Sequence, residues 1–422
     1  MGKFLINGNR ELSGEVKISG NKNAALAAIA ATLLTDEEVI LDNVPNIADV
    51  LTMFELIEAL GSTVIQISHN KFKIKSNFVY KELDKQLVAK IRGSVLLLAP
   101  LLVKFNKAEM APPGGDGIGL RRLDAHFGGF EDLGVKSEII DNGNVFIEGK
   151  LKSGVIYLEE ASVTATENMI MATCTTMGES IIYNAACEPH IQDLCNMLNS
   201  MGAKIQGIGS NKLTIQGVEK LSGTCFTIGA DFMEIGSFIA LAVATNSELT
   251  LYNVKNTDMR PIINGFKKLG VKVELTEDFI IVRKNQDRKI PKFNHTPKLD
   301  DGPWPCFPAD LMPIMCVLAT QLTGTILIHE KMFESRMFFL DYIIKMGADI
   351  ILCDPHRAII NGPAKLKISN VKSPDIRAGI SLVIAALCVE GTTIIENIGQ
   401  IERGYEDILF KLTNIGANII RC

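Results

Sequence analysis

Residues 24–75 read AALAAIAATLLTDEEVILDNVPNIADVLTMFELIEALGSTVIQISHNKFKIK, and this stretch holds most of one structural period. Residues 24–34 are small and apolar with almost no polar face, so a helix over them is expected to be buried on all sides. Val39-Ile-Leu-Asp-Asn43 reads as a strand, and residues 47–60 as an amphipathic helix that stops at Leu60-Gly61. Residues 63–67 and 71–75 follow as two short strands. With a strand ahead of the buried helix, the order of the unit is strand, helix, strand, helix, strand, strand.

The same landmarks recur along the chain. An apolar residue and glycine close a helix at Leu60-Gly61, Leu133-Gly134, Met201-Gly202, Leu269-Gly270, Met346-Gly347 and Ile415-Gly416, about 70 residues apart and so longer than the periods of solenoids. Glycine at such a site lets the helix end turn left-handed. Strands ending in asparagine keep phase with these glycines at Asn43, Ile181-Ile-Tyr-Asn184, Leu249-Thr-Leu-Tyr-Asn253 and Thr393-Ile-Ile-Glu-Asn397. Six βαβαββ-type units predict an α/β protein of two domains with three repeats each: residues 1–20 plus 232–422, and residues 21–231. A ligand cleft between the domains is the expectation. Residues 285–310, with Pro291, Pro297, Pro303, Pro305 and Pro308, read as a functional loop or an insertion into the fifth unit.

Composition narrows the function. A chain of 422 residues, 47% hydrophobic, buries a large core. Its net charge of −5 argues against a nucleic-acid partner, so local arginines serve small anions. The nine cysteines are scattered and lack paired metal-ligand spacing. They point to a reducing, cytoplasmic setting, to no metal site, and to thiols that mostly fill core space. The N-terminus MGKFLING reads as a first strand rather than a signal peptide, and Ile6 stands where a myristoylation pattern needs Ser or Thr. The apolar runs 24–34 and 380–388 fall short of the roughly 18 residues of a membrane span, so no membrane partner is expected.

The chemistry concentrates elsewhere. Pro112-Pro-Gly-Gly-Asp-Gly-Ile-Gly-Leu-Arg-Arg-Leu-Asp-Ala-His126 brackets Asp116 with Gly114, Gly115, Gly117 and Gly119 and sets Arg121 and Arg122 beyond it. Glycines permit close approach to a ligand, the guanidinium forks suit phosphate or carboxylate, and Asp116 is placed to give or take a proton. By itself the segment is equally a reactive lid or a charged surface turn. Ser19-Gly-Asn-Lys-Asn23 puts Lys22 at the start of a buried helix, where the dipole disfavours a cation, so a negative partner is expected, above all a ligand. Arg92, Arg377 and Arg403 each open an apolar helix or lie just before one.

Together, Ser19-Gly-Asn-Lys-Asn23, Arg92, Pro113-Gly-Gly-Asp-Gly-Ile-Gly119, Phe307-Pro-Ala-Asp310, Phe333-Glu-Ser-Arg336, Asp375-Ile-Arg377-Ala and Arg403-Gly-Tyr-Glu406 resemble the enolpyruvyl transferase family over essentially the whole chain. That resemblance implies a two-domain inside-out α/β barrel, in agreement with the repeat count, and it favours the lid over the turn. It also implies a reaction without cofactor: the enolpyruvyl group of phosphoenolpyruvate moves to the 3'-hydroxyl of UDP-N-acetylglucosamine by addition and elimination, releasing phosphate, at the start of peptidoglycan precursor synthesis. By the same resemblance Lys22, Arg121 and Arg403 bind the phosphoenolpyruvate anion and Arg377 supports its carboxylate. Asn23 contacts the sugar, Asp310 is the base on the 3'-hydroxyl, and Asp116 is the acid at the methylene carbon. Arg92, Arg121, Arg122, Leu123, Asp124, Ala125, Ser162, Val163, Thr164 and Met332 line the UDP-sugar. Asp231 and Glu188 also lie in family-like surroundings.

The chain departs from the family pattern at three positions: Asp116 replaces a usual cysteine, Arg122 a proline, and Ala48 a frequent lysine. A carboxylic acid, ordinarily ionising near pH 4, can still donate a proton if lid closure raises its pKa. The missing thiol predicts insensitivity to fosfomycin, the epoxide that alkylates the family cysteine. The competing readings are the shikimate-phosphate branch of the family, a UDP-sugar sensor, and a structural scaffold.

Overall fold

The computed structural model describes residues 2–140, 143–254, 259–292 and 294–422; Met1 of the expected first strand lies outside them. The chain forms two compact units, one of Met1–Ser19, Asp116–Leu120 and Ala230–Cys422, the other of Gly20–Gly115 and Arg121–Gly229. Buried apolar side chains form two clusters, one inside each unit. The fold is mixed α/β. No described helix is long and apolar enough to cross a membrane.

The repeat is visible in the sheets. In the second unit, strand Lys71–Ser76 lies between Ser62–Ser68 and Glu38–Asp42 and pairs antiparallel with both, and Thr224–Thr227 adds in parallel at the edge beside Glu38–Asp42. Val155–Tyr157 plays that edge role beside Glu179–Tyr183, and in the first unit Ser13–Lys17, Lys298–Asp300 and Asn370–Lys372 do so beside Glu248–Tyr252, Gly324–His329 and Thr392–Glu396. Two edge strands are exchanged relative to the linear reading. Ser13–Lys17 precedes the Lys22–Ala31 helix in sequence yet completes the Glu248–Tyr252 sheet, while Thr224–Thr227 completes the sheet of Glu38–Asp42. Lys3–Asn7 lies between Thr392–Glu396 and Asn418–Arg421 and pairs antiparallel with both.

The helices preceding the sheets are buried, as their composition requires. All residues of Phe232–Ala244, Met312–Ala319 and Ile376–Leu387 are buried, and in Lys22–Ala31 only Lys22 and Asn23 are not. The six periodic glycines all take left-handed φ, from 80° at Gly134 to 103° at Gly202. The periodic asparagines do the same, with φ of 57° at Asn43 and Asn184, 65° at Asn253 and 59° at Asn397. Asparagine tolerates that conformation better than most residues. Its amide adds a hydrogen bond across the sheet, donating 2.8 Å to Ile228 O, 2.9 Å to Leu158 O, 2.8 Å to Ile18 O and 2.9 Å to Ser373 O respectively. Each acceptor sits just beyond a parallel edge strand, so the asparagine ties that strand to its neighbour.

Two expectations need correction. Residues 285–310 are not simply a loop or insertion, because they supply the Lys298–Asp300 edge strand of the fifth repeat; prolines on either side disguise so short a strand. The thiols do not mostly fill core space: all nine are free, but only Cys174, Cys187, Cys195 and Cys316 are buried.

Candidate functional site

Four positions singled out in the sequence fall in Gly20–Gly115: Lys22 and Asn23 in the first turn of the Lys22–Ala31 helix, Arg92 at the start of the Arg92–Leu97 turn, and Ala48 at the start of the Ala48–Ala59 helix. Asn21 caps the first helix by accepting from Ala24 N at 2.9 Å. Lys22 Nζ lies 3.1 Å from Asp49 Oδ2, a carboxylate at the start of the next helix. The negative partner expected for Lys22 is thus supplied by the protein as well. Arg92 donates to Arg121 O at 2.7 Å and to Arg122 O at 3.2 Å, fixing the backbone that carries both arginines. Burial, with Arg121 beside it, pushes the Arg92 guanidinium down to about 10.

Arg122 spends its charge on Asp124, 2.5 Å away in an exposed pair, a contact of small energetic weight. Leu123 is the N-cap residue of the Asp124–Asp132 helix, and Ala125 is buried in its first turn. Ser162 caps the Val163–Cys174 helix, accepting from Ala165 N at 3.4 Å. Thr164 meets His126 Nε2 at 3.0 Å, while Asn168 Nδ2 lies 3.0 Å from His126 Nδ1. The asparagine NH2 can only donate, its oxygen being taken by Ala99 N, so Nδ1 accepts and Nε2 carries the proton toward Thr164. Burial, reinforced by Arg92, pushes His126 down to about 3, keeping it neutral.

In the other unit, Asp310 lies in a fork of two arginines. Its Oδ1 accepts from Arg336 Nη2 at 2.9 Å and its Oδ2 from Arg377 Nε at 3.0 Å. Both guanidinium groups are almost fully buried, at 2% and 5% side-chain exposure, whereas Asp310 keeps 29%. Asp375 caps the Ile376–Leu387 helix through Arg377 N and Ala378 N, setting Arg377 in its first turn. Arg377 also stacks 5.4 Å over the Tyr405 ring, and its buried Nη1 has no protein acceptor.

Asp116 belongs to this unit. Arg403 Nη1 lies 3.2 Å from Asp116 Oδ1 and 3.1 Å from Gln400 Oε1. Glu334 Oε1 accepts from Leu120 N at 2.8 Å, and Ser335 N donates to Ile118 O at 3.1 Å. Gly119 is obligatory at this anchor: its φ is 137°, and a Cβ there would lie 2.5 Å from Glu334 Oε2. These bonds explain why Asp116–Leu120 groups with this unit and not with the segments on either side of it. Met332 is 40% exposed, and its N–H donates to Glu330 Oε1 at 3.1 Å. Asp231 caps the Phe232–Ala244 helix through Met233 N and Glu234 N, and Glu188 precedes the Pro189–Ser200 helix. Sequence reasoning did not single out Glu334 and Arg336 as groups of the candidate site, although Phe333-Glu-Ser-Arg336 was legible as a motif.

A partly exposed carboxylate held by two buried arginines, a glycine-bracketed aspartate and six repeats of one α/β unit are the features of an enolpyruvyl transferase. Residues 6–412 match the family of EPSP synthase (3-phosphoshikimate 1-carboxyvinyltransferase), and the chain belongs to it. It is 52% identical over 423 aligned residues to the UDP-N-acetylglucosamine 1-carboxyvinyltransferase of Borreliella burgdorferi, and 51% identical over 422 to that of Treponema denticola, covering 99% of each chain in both cases. Among solved structures, an enolpyruvyl transferase from Streptomyces tendae superposes with a TM-score of 0.87 at 21% identity, covering 100% of this chain and 99% of that one. The EPSP synthase of Acinetobacter baumannii does so at 0.76 and 17%, covering 100% of both. These two share the fold.

Proposed function

We propose that this chain transfers the enolpyruvyl group of phosphoenolpyruvate to the 3'-hydroxyl of UDP-N-acetylglucosamine, releasing phosphate in the first committed step of peptidoglycan precursor synthesis. The observation that carries this reading is full-length identity of about half to relatives bearing the name UDP-N-acetylglucosamine 1-carboxyvinyltransferase. Asp310 takes the hydroxyl proton; its two arginines hold both oxygens in place and leave the carboxylate partly exposed. Lys22, Arg121 and Arg403 bind the phosphoenolpyruvate anion, and the unsatisfied Nη1 of Arg377 suits its carboxylate. Asn23, Arg92, Arg121, Arg122, Leu123, Asp124, Ala125, Ser162, Val163, Thr164 and Met332 contact the UDP-sugar, Arg92 through the backbone it fixes.

Asp116 stands where the family carries cysteine and serves as the acid. Its carboxylate is paired with Arg403, so a substrate phosphate that takes over Arg403 frees Asp116 to bind a proton and deliver it to the methylene carbon. The oxocarbenium-like centre then accepts the sugar oxygen. Return of a methyl proton to Asp116 and departure of phosphate restore the double bond. With a carboxylate in place of a thiolate, the lid resists alkylation by fosfomycin. The deciding experiment is phosphate release from phosphoenolpyruvate with UDP-N-acetylglucosamine or with shikimate 3-phosphate as acceptor. Turnover with the nucleotide sugar alone is expected; turnover with shikimate 3-phosphate alone moves the chain to the other branch, and tight UDP-sugar binding without phosphate release makes it a sensor.

A further inference from the structure

Behind the Asp310 fork lies a second pair of carboxyl groups with no role in the reaction above. Glu330 follows the Gly324–His329 strand at the point where four other repeats use asparagine, and Asp301 follows the Lys298–Asp300 edge strand beside it. They are 0% and 2% exposed. Glu330 Oε1 accepts from Met332 N at 3.1 Å and Phe333 N at 3.0 Å, and Asp301 Oδ1 accepts from Lys331 N at 2.5 Å. The remaining oxygens, Glu330 Oε2 and Asp301 Oδ2, are both buried and meet no donor. Two adjacent buried carboxyl oxygens without a donor are resolved by one proton between them.

We propose that Asp301 and Glu330 share one proton and act as positioning residues: the pair, with a single negative charge, holds Arg336, and Arg336 holds Asp310 in place to take the acceptor hydroxyl's proton. Glu330 Oε2 lies 3.7 Å from Arg336 Nε, and Arg336 Nη2 lies 2.9 Å from Asp310. Burial, and next the hydrogen bond with Asp301, pushes the Glu330 carboxyl up to about 9 against the pull of Arg336. Apart from Asp301 and Arg336, none of the neighbouring described groups takes its proton or its charge. Lys331 Nζ is bound to Asp300, His356 Nδ1 reaches only the Glu330 carbonyl, at 2.8 Å, and the Cys316 thiol is held protonated by burial. The shared proton does here what the asparagine amide does in four other repeats, while adding a charge that asparagine lacks.

The proposal rests on Asp310 being the base, so its test has a part that does not involve turnover. Asp301→Asn supplies an amide donor to Glu330 Oε2 and keeps the single negative charge; Asp301→Leu supplies no donor. Asp301→Asn is expected to retain kcat within about twofold. Asp301→Leu is expected to lower kcat at least tenfold while both KM values stay within about twofold. Infrared difference spectra at neutral pH, wild type against Asp301→Asn, are expected to show loss of one protonated-carboxyl C=O band. Absence of that band overturns the shared proton whatever the enzyme's acceptor. Equal kcat loss in both variants, or none in Asp301→Leu, overturns the positioning role even if the band is present.

Discussion

Asp310→Asn separates the base from the scaffold. The carboxylate presents one oxygen to each arginine, at 2.9 and 3.0 Å. An amide has only one oxygen, so in either orientation its NH2 faces a guanidinium N–H. One charge-assisted hydrogen bond is lost, worth about 1.5–3 kcal/mol when buried. The 29% exposure of Asp310 moves the expected stability loss to about 1–2 kcal/mol. The chemical loss is larger. Removing a general base lowers kcat about 10²–10⁴-fold, or roughly 3–5 kcal/mol in the barrier. The Nη1 of Arg377 is untouched by the substitution, so KM for phosphoenolpyruvate is expected to change far less than kcat. Continuous phosphate release at saturating substrates gives kcat, and a thermal melt of the same sample gives the fraction folded. A folded Asp310→Asn enzyme with kcat within about threefold of wild type refutes the assignment of Asp310 as base.

Asp116→Cys is expected to acquire a stoichiometric fosfomycin adduct in intact-protein mass spectrometry while the natural chain acquires none; an adduct on Asp116 itself would sink the reading. Gly119→Ala forces a Cβ to 2.5 Å from Glu334 at left-handed φ, whereas a Cβ at Gly117 meets nothing within 4 Å. The first substitution is expected to raise KM for phosphoenolpyruvate several-fold and the second to leave it unchanged, so equal effects in steady-state assays would remove the lid anchor. Asn184→Ala is expected to cost about 1–2 kcal/mol in denaturant unfolding, because it loses both tolerance of left-handed φ and the hydrogen bond to Leu158 O. His126, at about 3 in the fold against 6.5 ordinarily, binds a proton more readily unfolded. The stability it confers is therefore present above pH 6.5 and is lost as pH falls toward 3, about 2 kcal/mol between pH 7 and pH 5. His126→Gln should flatten that slope in denaturant titrations, and an unchanged slope counts against a neutral buried imidazole.

Much of the fold was legible because its punctuation is local chemistry. A left-handed helix end requires glycine, and a left-handed strand end that also donates an amide requires asparagine; both can be counted in the sequence. What was not legible depends on partners distant in the chain. Nothing in residues 13–17 says that this strand pairs with Glu248–Tyr252 instead of Glu38–Asp42, because a parallel edge strand carries no side-chain signal for its neighbour. Nor does Arg403 announce Asp116 across a sequence separation of 287.

The failures of the asparagine rule are more informative than its successes. It is absent from two repeats, after Lys107–Met110 and after Gly324–His329. In the first, among the described residues, the sheet has three strands and no parallel edge strand, so it offers no carbonyl for an asparagine to tie, and the chain runs on into the glycines around Asp116. In the second, Glu330 stands in its place and leads into Glu334 and Arg336. These two departures meet: Leu120 N donates to Glu334, and Ser335 N donates to Ile118 O. A repeat that keeps its tie closes its sheet edge with a neutral amide, whereas these two release a loop whose charged groups face the lid and Asp310. Sites where a local rule is broken are expected to be functional ones, and here the break itself supplies the contact that anchors Asp116–Leu120 and the arginine behind Asp310, the proposed base.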